Sequence, residues 1–329
     1  MTGQNQKTDI LCAGLAAVDT IFGGVSSVLM QVDNIVADTY MAQSGGDAVN
    51  GAVSCARLGL RTGISCVVGN DMQGHFILDE LTWEGVDVSG VIVQEDIPTS
   101  APVVMIDENG ERHIVRLPRT PNHIYTGSMI PDEVLRNTRH LHVASANSLP
   151  ALDGEPLAQL FARAKRFGVT TSMDTNYDKA GDWLAKIEKA LPLCDVFIPS
   201  LQEASVYAGT EDIGKITEFF SGYGISVFGV KLGERGAYVT NFSEQWTAPS
   251  FYKGQPVDTT GAGDAFFAGF LAAWLREMPL PDCLGIASAQ SASVLGAAGA
   301  HTSAGSWDEA FVLLQKNKER ISGSGTDGI

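Results

Sequence analysis

The stretch GQPVDTTGAGDAFFAGFLAAW, residues 254–274, places glycines and hydroxylated residues before a single carboxylate, Asp264, and then continues as an apolar run. Gly261 and Gly263 permit a tight turn, and Ala262 keeps the turn uncrowded. Such a turn at the start of a helix presents unpaired backbone N–H groups at the positive end of the helix dipole. The stretch therefore predicts an anion site at residues 261–263, with Asp264 in the first helical turn.

Asp264 has two interpretations. An aspartate at a helix start is a common cap, stabilised by the dipole by about 0.3–1 kcal/mol. A carboxylate beside an anion site is also what phosphoryl transfer to a hydroxyl requires, because donors must surround the transferred group while a base accepts the hydroxyl proton. We favour the second interpretation, since both parts lie within four residues.

The charge and composition of the chain restrict its partners. The 329 residues carry a net charge of −16 with no compensating Lys/Arg cluster, so nucleic acid and anionic membrane are disfavoured. With no run of eighteen apolar residues and no apolar signal core in MTGQNQKTD at residues 1–9, we expect a cytoplasmic protein. The five scattered cysteines form no C-x-x-C pair, which indicates reduced packing residues rather than disulfides or a zinc site.

Short apolar runs alternate with helical patterns along most of the chain. This alternation is typical of a parallel sheet covered by helices on both faces. Helices are predicted over 46–59 and 154–168, each ending at a glycine. The predicted buried strands are 9–14, 64–69, 140–145, 169–174, 195–200 and 226–233.

One region departs from this alternation. Two β-rich runs flank Asn109-Gly110 within residues 97–122, which predicts an antiparallel hairpin. Residues 20–43 lack helical periodicity and are expected to add strands to the same small sheet. We expect a single domain over residues 1–329 that ends in a flexible tail at 321–329.

Two motifs resemble those of one known family, the ribokinase-like (PfkB) carbohydrate kinases. Residues 258–271, DTTGAGDAFFAGFL, are similar to the C-terminal signature of the family. Residues 45–50, GGDAVN, with Gly59 and Gly69 further along, resemble its N-terminal signature. The resemblance extends from about residue 8 to residue 320, and it implies a three-layer, doubly wound α/β fold with a small β-sheet lid.

The resemblance assigns roles to residues at both signatures. It implies that Asp264 is the general base for in-line transfer from ATP, and that the amides of Gly261, Ala262 and Gly263 form the anion hole. Carboxylates, amides and exposed backbone suit the recognition of sugar hydroxyls. The residues implied to bind a small-molecule sugar are Asp19, Gly45, Gly46 and Asn50.

The resemblance also implies sites for the nucleotide and for metal ions. Val230-Lys231-Leu232-Gly233 is similar to the strand-to-turn element beside the nucleotide, although any strand that ends at a glycine gives such a pattern. The nucleotide residues implied are Lys231, Gly233, Gly236 and Gly299. Asp258 and Thr260 match one side of a loop for a monovalent cation, K⁺.

The implied magnesium site departs from the family pattern. Where relatives carry N-x-x-E, this chain has Ser200-Leu201-Gln202-Glu203, so Glu203 is expected to act on Mg²⁺ through water while the amide is missing. The alternative, which we favour less, is that Glu203 is a solvated residue in the first turn of a helix. Asp174 and Asn176 resemble a D-x-N element and are expected to support the site.

Basic residues on the predicted hairpin do not decide whether the substrate is anionic. They could recognise an anionic sugar through guanidinium groups, or protect an exposed strand edge, and we favour edge protection. The residues are Arg112, His113, Arg116, Arg119 and His123.

Other functions also stay open. A nucleoside kinase of the same superfamily would share both signatures, and a non-catalytic ligand-binding relative would share the fold. A homodimer through the lid is a further expectation.

Overall fold

The computed structural model describes residues 7–26, 32–109, 111–178 and 181–325. Its strands are β1 (Thr8–Gly14), β2 (Ala17–Val25), β3 (Thr39–Gly45), β4 (Thr62–Ser65), β5 (Val67–Gly69), β6 (Ile92–Gln94), β7 (Val103–Asp107), β8 (Arg112–Val115), β9 (Thr138–Ala146), β10 (Thr170–Thr175), β11 (Val196–Phe197), β12 (Val227–Lys231), β13 (Ala237–Thr240), β14 (Glu244–Ala248) and β15 (Ser322–Gly325). Its α-helices are α1 (Asp47–Arg57), α2 (Met72–Trp83), α3 (Asp132–Arg136), α4 (Glu155–Arg166), α5 (Leu201–Ala208), α6 (Ile213–Ser221), α7 (Ala262–Trp274), α8 (Leu280–Val294) and α9 (Trp307–Asn317).

A large sheet runs through the centre of the described chain in the order β15-β14-β13-β12-β11-β10-β9-β1-β4. The strands from β4 to β12 in this order are parallel, which confirms the predicted parallel sheet. β13, β14 and β15 extend it as an antiparallel edge.

Helices cover both faces of this sheet because its strands are apolar on both sides. Along β1, Ile10 and Cys12 pack in one core cluster, while Leu11 and Ala13 pack in the other. The first cluster also takes residues from α1, α2, α7, α8 and α9, and the second takes residues from α3, α4, α5 and α6. The result is the expected three-layer arrangement.

The predicted second, smaller sheet is present, and its strand order is β3-β2-β7-β8. β7 and β8 form an antiparallel hairpin, with Asn109 in its turn, while Gly110 lies outside the described residues. Both segments predicted for this sheet contribute strands, although residues 27–31 of the first one also lie outside the described part of the chain.

Three expectations about elements were wrong. The predicted strand 64–69 is two strands, and its second half, β5, pairs with β6 in a separate sheet. The predicted strand 195–200 is a strand only at Val196–Phe197, while Ser200 forms an isolated bridge with Lys231 and caps α5. The start predicted for the flexible tail, residue 321, is too early, because Ser322–Gly325 forms strand β15 and pairs with β14.

The cysteines and the lengths of the helices also bear on the sequence analysis. All five cysteines are buried and free of disulfides, which confirms their role as packing residues. Among the described residues, no helix has the length and apolar character needed to cross a bilayer.

Candidate active site

The turn at the start of α7 depends on Gly261. Its φ of +74° is left-handed, and a Cβ placed there would lie 2.1 Å from the carbonyl oxygen of Ala300. Glycine is therefore required both by conformation and by space. The N–H of Ala262 donates to the carbonyl of Thr259 at 3.3 Å, which is long for such a bond.

Asp264 lies in the first turn of α7 and meets the other signature directly. Asn50 of α1 donates its side-chain N–H to Asp264 Oδ2 at 2.8 Å. Burial raises the pKa of Asp264 well above its ordinary value, and the charge of Asp47 adds to this effect. The bond from Asn50 acts in the opposite direction, because it favours the charged carboxylate.

Lys231 supplies a partly buried cation on the other side of this turn. Its ammonium donates to Asp174 Oδ2 at 2.5 Å, and it lies close enough to Gly263 that a Cβ there would be 3.4 Å from the Lys231 Nζ. Although burial opposes the charge, Asp174 and Glu203 hold the pKa of Lys231 above its usual value. The turn therefore has a fixed positive charge beside it.

A cavity of about 580 Å³ opens in front of the turn. Lys231, Gly233 and Gly236, which were predicted to bind nucleotide, line it together with Ala262 and Gly263. Other lining residues are Glu234, Ser250, Tyr252, Gly254, Pro256, Thr259, Phe266, Ser291 and Leu295. The cavity thus brings residues 231–236 together with Ala262 and Gly263, which lie about thirty residues later in the sequence.

The residues predicted to bind sugar gather at the junction of the two sheets. Asp19 of β2 lies against Gly45, where a Cβ would be 2.6 Å from Asp19 Oδ2. Gly46 begins α1 with a φ of +89°. Burial raises the pKa of Asp19, and the nearby charge of Asp47 raises it further.

Thr260 and Gly299 both contact Asp258. One carboxylate oxygen of Asp258 accepts from the N–H and hydroxyl of Thr260 at 2.9 and 2.8 Å, and the other accepts from the N–H of Gly299 at 3.1 Å. Asp258 and Thr260 line a cavity of about 460 Å³ under the small sheet, together with Asp19. Gly299 therefore lies beside the predicted cation loop.

Glu203 completes a capping box of α5. Its Oε2 accepts from the N–H and hydroxyl of Ser200 at 2.8 and 2.7 Å, and the N–H of Glu203 donates back to that hydroxyl at 3.3 Å. The serine that replaces the family asparagine thus has a local structural role. The Glu203 charge still acts on Asp174 and Lys231, so the carboxylate borders the site.

Three of the five basic residues predicted on the hairpin line one of two cavities. Arg112 lines the one under the small sheet. Arg116 and His123 line another of about 560 Å³, which also contains Gly46 and Asn176. All four residues of β8 are exposed at the edge of the small sheet, as edge protection would require.

Sequence reasoning missed several polar residues here. Asp47 accepts a hydrogen bond from Asn176 at 2.6 Å and bears on the pKa of both Asp19 and Asp264. Its place inside the GGDAVN motif could have indicated this position. His301 contacts Asn50, Glu80 contacts His301, and no motif in the sequence marks either residue.

Comparisons with known proteins identify the family to which the chain belongs. The family model described as "pfkB family carbohydrate kinase" matches residues 7–307. The chain is 29% identical over 256 residues to 2-dehydro-3-deoxygluconokinase of Bacillus subtilis, covering 75% of this chain and 78% of that protein. It is 26% identical to a nucleoside kinase of Methanothermobacter thermautotrophicus, covering 91% and 93%. The structure of Arabidopsis thaliana ribokinase complexed with ribose and ATP superposes with a TM-score of 0.81 at 23% identity, covering 94% and 99%.

The fold is the ribokinase fold, and enzymes of this class transfer phosphoryl groups to hydroxyls. The chain belongs to the pfkB family of carbohydrate kinases. It is a kinase of sugars or nucleosides, and its family uses ATP.

Proposed function

We propose that this protein transfers the γ-phosphoryl group of ATP to a hydroxyl of a sugar or sugar-derived substrate, with Asp264 as general base. The observation that carries the proposal is the position of Asp264, next to a glycine turn that lines a cavity of about 580 Å³ with Lys231. Asp19, Gly45 and Gly46 supply the sugar end, and Asn50 joins that end to Asp264.

The proposed step balances as a single in-line displacement. The substrate hydroxyl oxygen bonds to the γ-phosphorus while the bond to the β,γ-bridging oxygen breaks, and ADP leaves. The hydroxyl proton passes to the Asp264 carboxylate. The amides of Gly261, Ala262 and Gly263 stabilise the charge on the transferred group, for which the long 3.3 Å bond of Ala262 leaves its N–H available. Lys231 adds a positive charge on the same side.

Nucleotide contacts follow from the same cavity. We propose that Gly233 and Gly236 let the phosphates and ribose approach the backbone beside Lys231. Gly299, the fourth residue implied for the nucleotide, does not line this cavity, and its N–H donates to Asp258 of the cavity under the small sheet.

Metal ions complete the proposal. The residues present suit Mg²⁺, because Glu203 offers a carboxylate at the border of the site and magnesium is commonly held by one or two carboxylates, waters and substrate phosphates. When bound, Mg²⁺ neutralises phosphate charge. Asp258 and Thr260 offer oxygen atoms of the kind that would hold K⁺ beside the turn.

Two further properties of the molecule are part of the proposal. Two copies would pair by packing the exposed apolar side chains of the small sheet, among them Ile114 and Val115, rather than by joining strands at the β8 edge. The enzyme would act in the cytoplasm, where ATP is available.

Replacement of Asp264 tests the proposal. We expect Asp264→Asn to lower kcat by about 10²-fold or more, while the affinity for ATP stays near that of the wild type, because the base is lost but the cavity is kept. Asp308→Asn is the matched control, since Asp308 is an exposed acid in the first turn of α9. Near-normal turnover of Asp264→Asn would contradict the assignment of the base.

The substrate is identified by measuring ADP release from ATP and Mg²⁺ with pentoses, hexoses, sugar acids, sugar phosphates and nucleosides. Turnover with sugars and none with nucleosides is the expected result. Selective turnover of nucleosides would favour the nucleoside kinase instead. Ligand binding without ADP release across the panel would indicate a non-catalytic relative.

A further inference from the structure

A chain of hydrogen bonds leads from Asp264 to two side chains that the proposed reaction does not use. Asn50 donates to Asp264 at 2.8 Å, and its side-chain oxygen faces the Nδ1 of His301 at 3.0 Å. The Nε2 of His301 lies 3.0 Å from Glu80 Oε1. Asn50 and His301 are 4% and 3% exposed, so water cannot easily replace these contacts.

The direction of every bond in this chain is fixed by its two ends. A carboxylate only accepts, so Asp264 requires the N–H of the Asn50 amide, and the Asn50 oxygen is then turned toward His301. Nδ1 of His301 must therefore carry a proton. Nε2 lies 3.0 Å from the Glu80 carboxylate, which holds the His301 ring in this orientation.

The position of His301 is itself fixed by α1. Arg57, on the same helix as Asn50, donates to the carbonyl oxygens of His301, Thr302 and Ala304 at 2.9, 3.1 and 3.1 Å. Arg57 also pairs with Glu84, one helical turn after Glu80 on α2. The loop that carries His301 is thereby held against both helices.

We propose that His301 is a positioning residue that, held by Glu80, prevents the Asn50 amide from turning over and so keeps its N–H on Asp264. A reversed amide would point an oxygen at the carboxylate, which would repel the charged form that a base needs. This inference rests on the proposed role of Asp264 and adds that the base depends on a side chain outside both signatures.

The test measures kcat, the KM for ATP and the melting temperature of His301→Ala. We expect kcat to fall about tenfold with the KM for ATP unchanged, because the ATP cavity is not lined by His301. In an Asn50→Ala background the same substitution should have no further effect on kcat, since the amide through which His301 acts is gone. His75→Ala, on the exposed face of α2, is the matched control.

Two substitutions of Glu80 separate its role in orienting the His301 ring from the effect of its negative charge. The side-chain amide introduced by Glu80→Gln would still donate to Nε2, which leaves the proton on Nδ1, so this variant should keep kcat within about threefold of the wild type. Glu80→Ala removes the partner and should lower kcat as His301→Ala does.

Two outcomes overturn the inference. One is wild-type kcat in His301→Ala, and the other is the same fold loss with and without Asn50. If either occurs while Asp264→Asn is inactive, the inference fails and the proposed function stands. An active Asp264→Asn would instead remove the proposed function itself.

Discussion

Asp264 can act as a base only when it is unprotonated, and its surroundings oppose this. Burial and the charges of Asp47 and Asp174 raise its pKa, while Asn50 and Lys231 lower it. The balance lies well above the ordinary value of 3.8. We therefore expect kcat/KM, which reports ionisations of the free enzyme, to fall with acid at a pH above that ordinary value.

Two charge substitutions should move the pH at which kcat/KM falls with acid in opposite directions. Asp47→Asn removes a negative neighbour and should shift the midpoint of kcat/KM against pH downward. Lys231→Met removes a positive neighbour and should shift it upward, even where both variants have a lower maximal rate. The measurement is the pH profile of kcat/KM for the wild type and both variants. Shifts in the same direction, or none, would show that a group other than Asp264 controls the fall of kcat/KM at low pH.

How well the contacts of these residues could be predicted depends on how far apart the residues lie along the chain. Asp264 and its glycines lie within four consecutive residues, so their joint chemistry is visible in the sequence. Asn50 was predicted as a sugar contact, and its bond to Asp264 spans 214 positions. His301 contacts Asn50 over 251 positions, a pairing that no local pattern could indicate.

At the level of the element, the beginning of α7 is sensitive to one glycine. Gly261→Ala would place a Cβ 2.1 Å from the Ala300 oxygen in a left-handed conformation, so the turn must move. We expect loss of turnover and a destabilisation of more than about 1 kcal/mol. Gly263→Ala is the matched control for stability, because its new Cβ would meet the end of the flexible Lys231 side chain at 3.4 Å. Equal melting temperatures for the two variants would contradict the special role of Gly261.

Helices were easier to predict than the sheet edge. α1 and α4 begin and end within two residues of the predicted ranges, because apolar periodicity and a following glycine mark them. β13 to β15 were all missed, and for β15 the reason is clear: Ser322–Gly325 contains only serine and glycine and gains its structure by pairing with β14. A strand without a side-chain pattern is specified by its neighbour.

Over the whole molecule, parallel topology assembles the site. Asp174 and Lys231 lie at or next to the carboxyl ends of β10 and β12, while Asn50 and Asp264 lie in the first turns of α1 and α7. In a doubly wound sheet these positions meet along one edge. The alternating pattern in the sequence predicted this architecture, but the geometry of the contacts depends on strand order, which the sequence does not encode locally.

Two histidines inside this sheet make stability depend on pH. His140 and His142 are buried on β9, and hydrogen bonds join both rings to the Ser172 hydroxyl. Burial lowers the pKa of His142 from 6.5 to about 3 and that of His140 well below 6.5. Because the folded pKa is depressed, the unfolded chain binds protons first as pH falls. Stability is therefore complete above about pH 6.5 and declines as the pH falls toward 3.

A substitution that cannot titrate isolates this effect. We expect the free energy of unfolding of the wild type to fall between about pH 7 and pH 5.5 by about 1 kcal/mol more than that of His142→Gln, as urea unfolding at each pH would measure. The comparison removes the opposing contribution of carboxyls with raised pKa, such as Asp264, which is common to both proteins. An identical pH dependence would mean that His142 accepts a proton in the folded sheet, which would require the Ser172 hydroxyl to act as its acceptor.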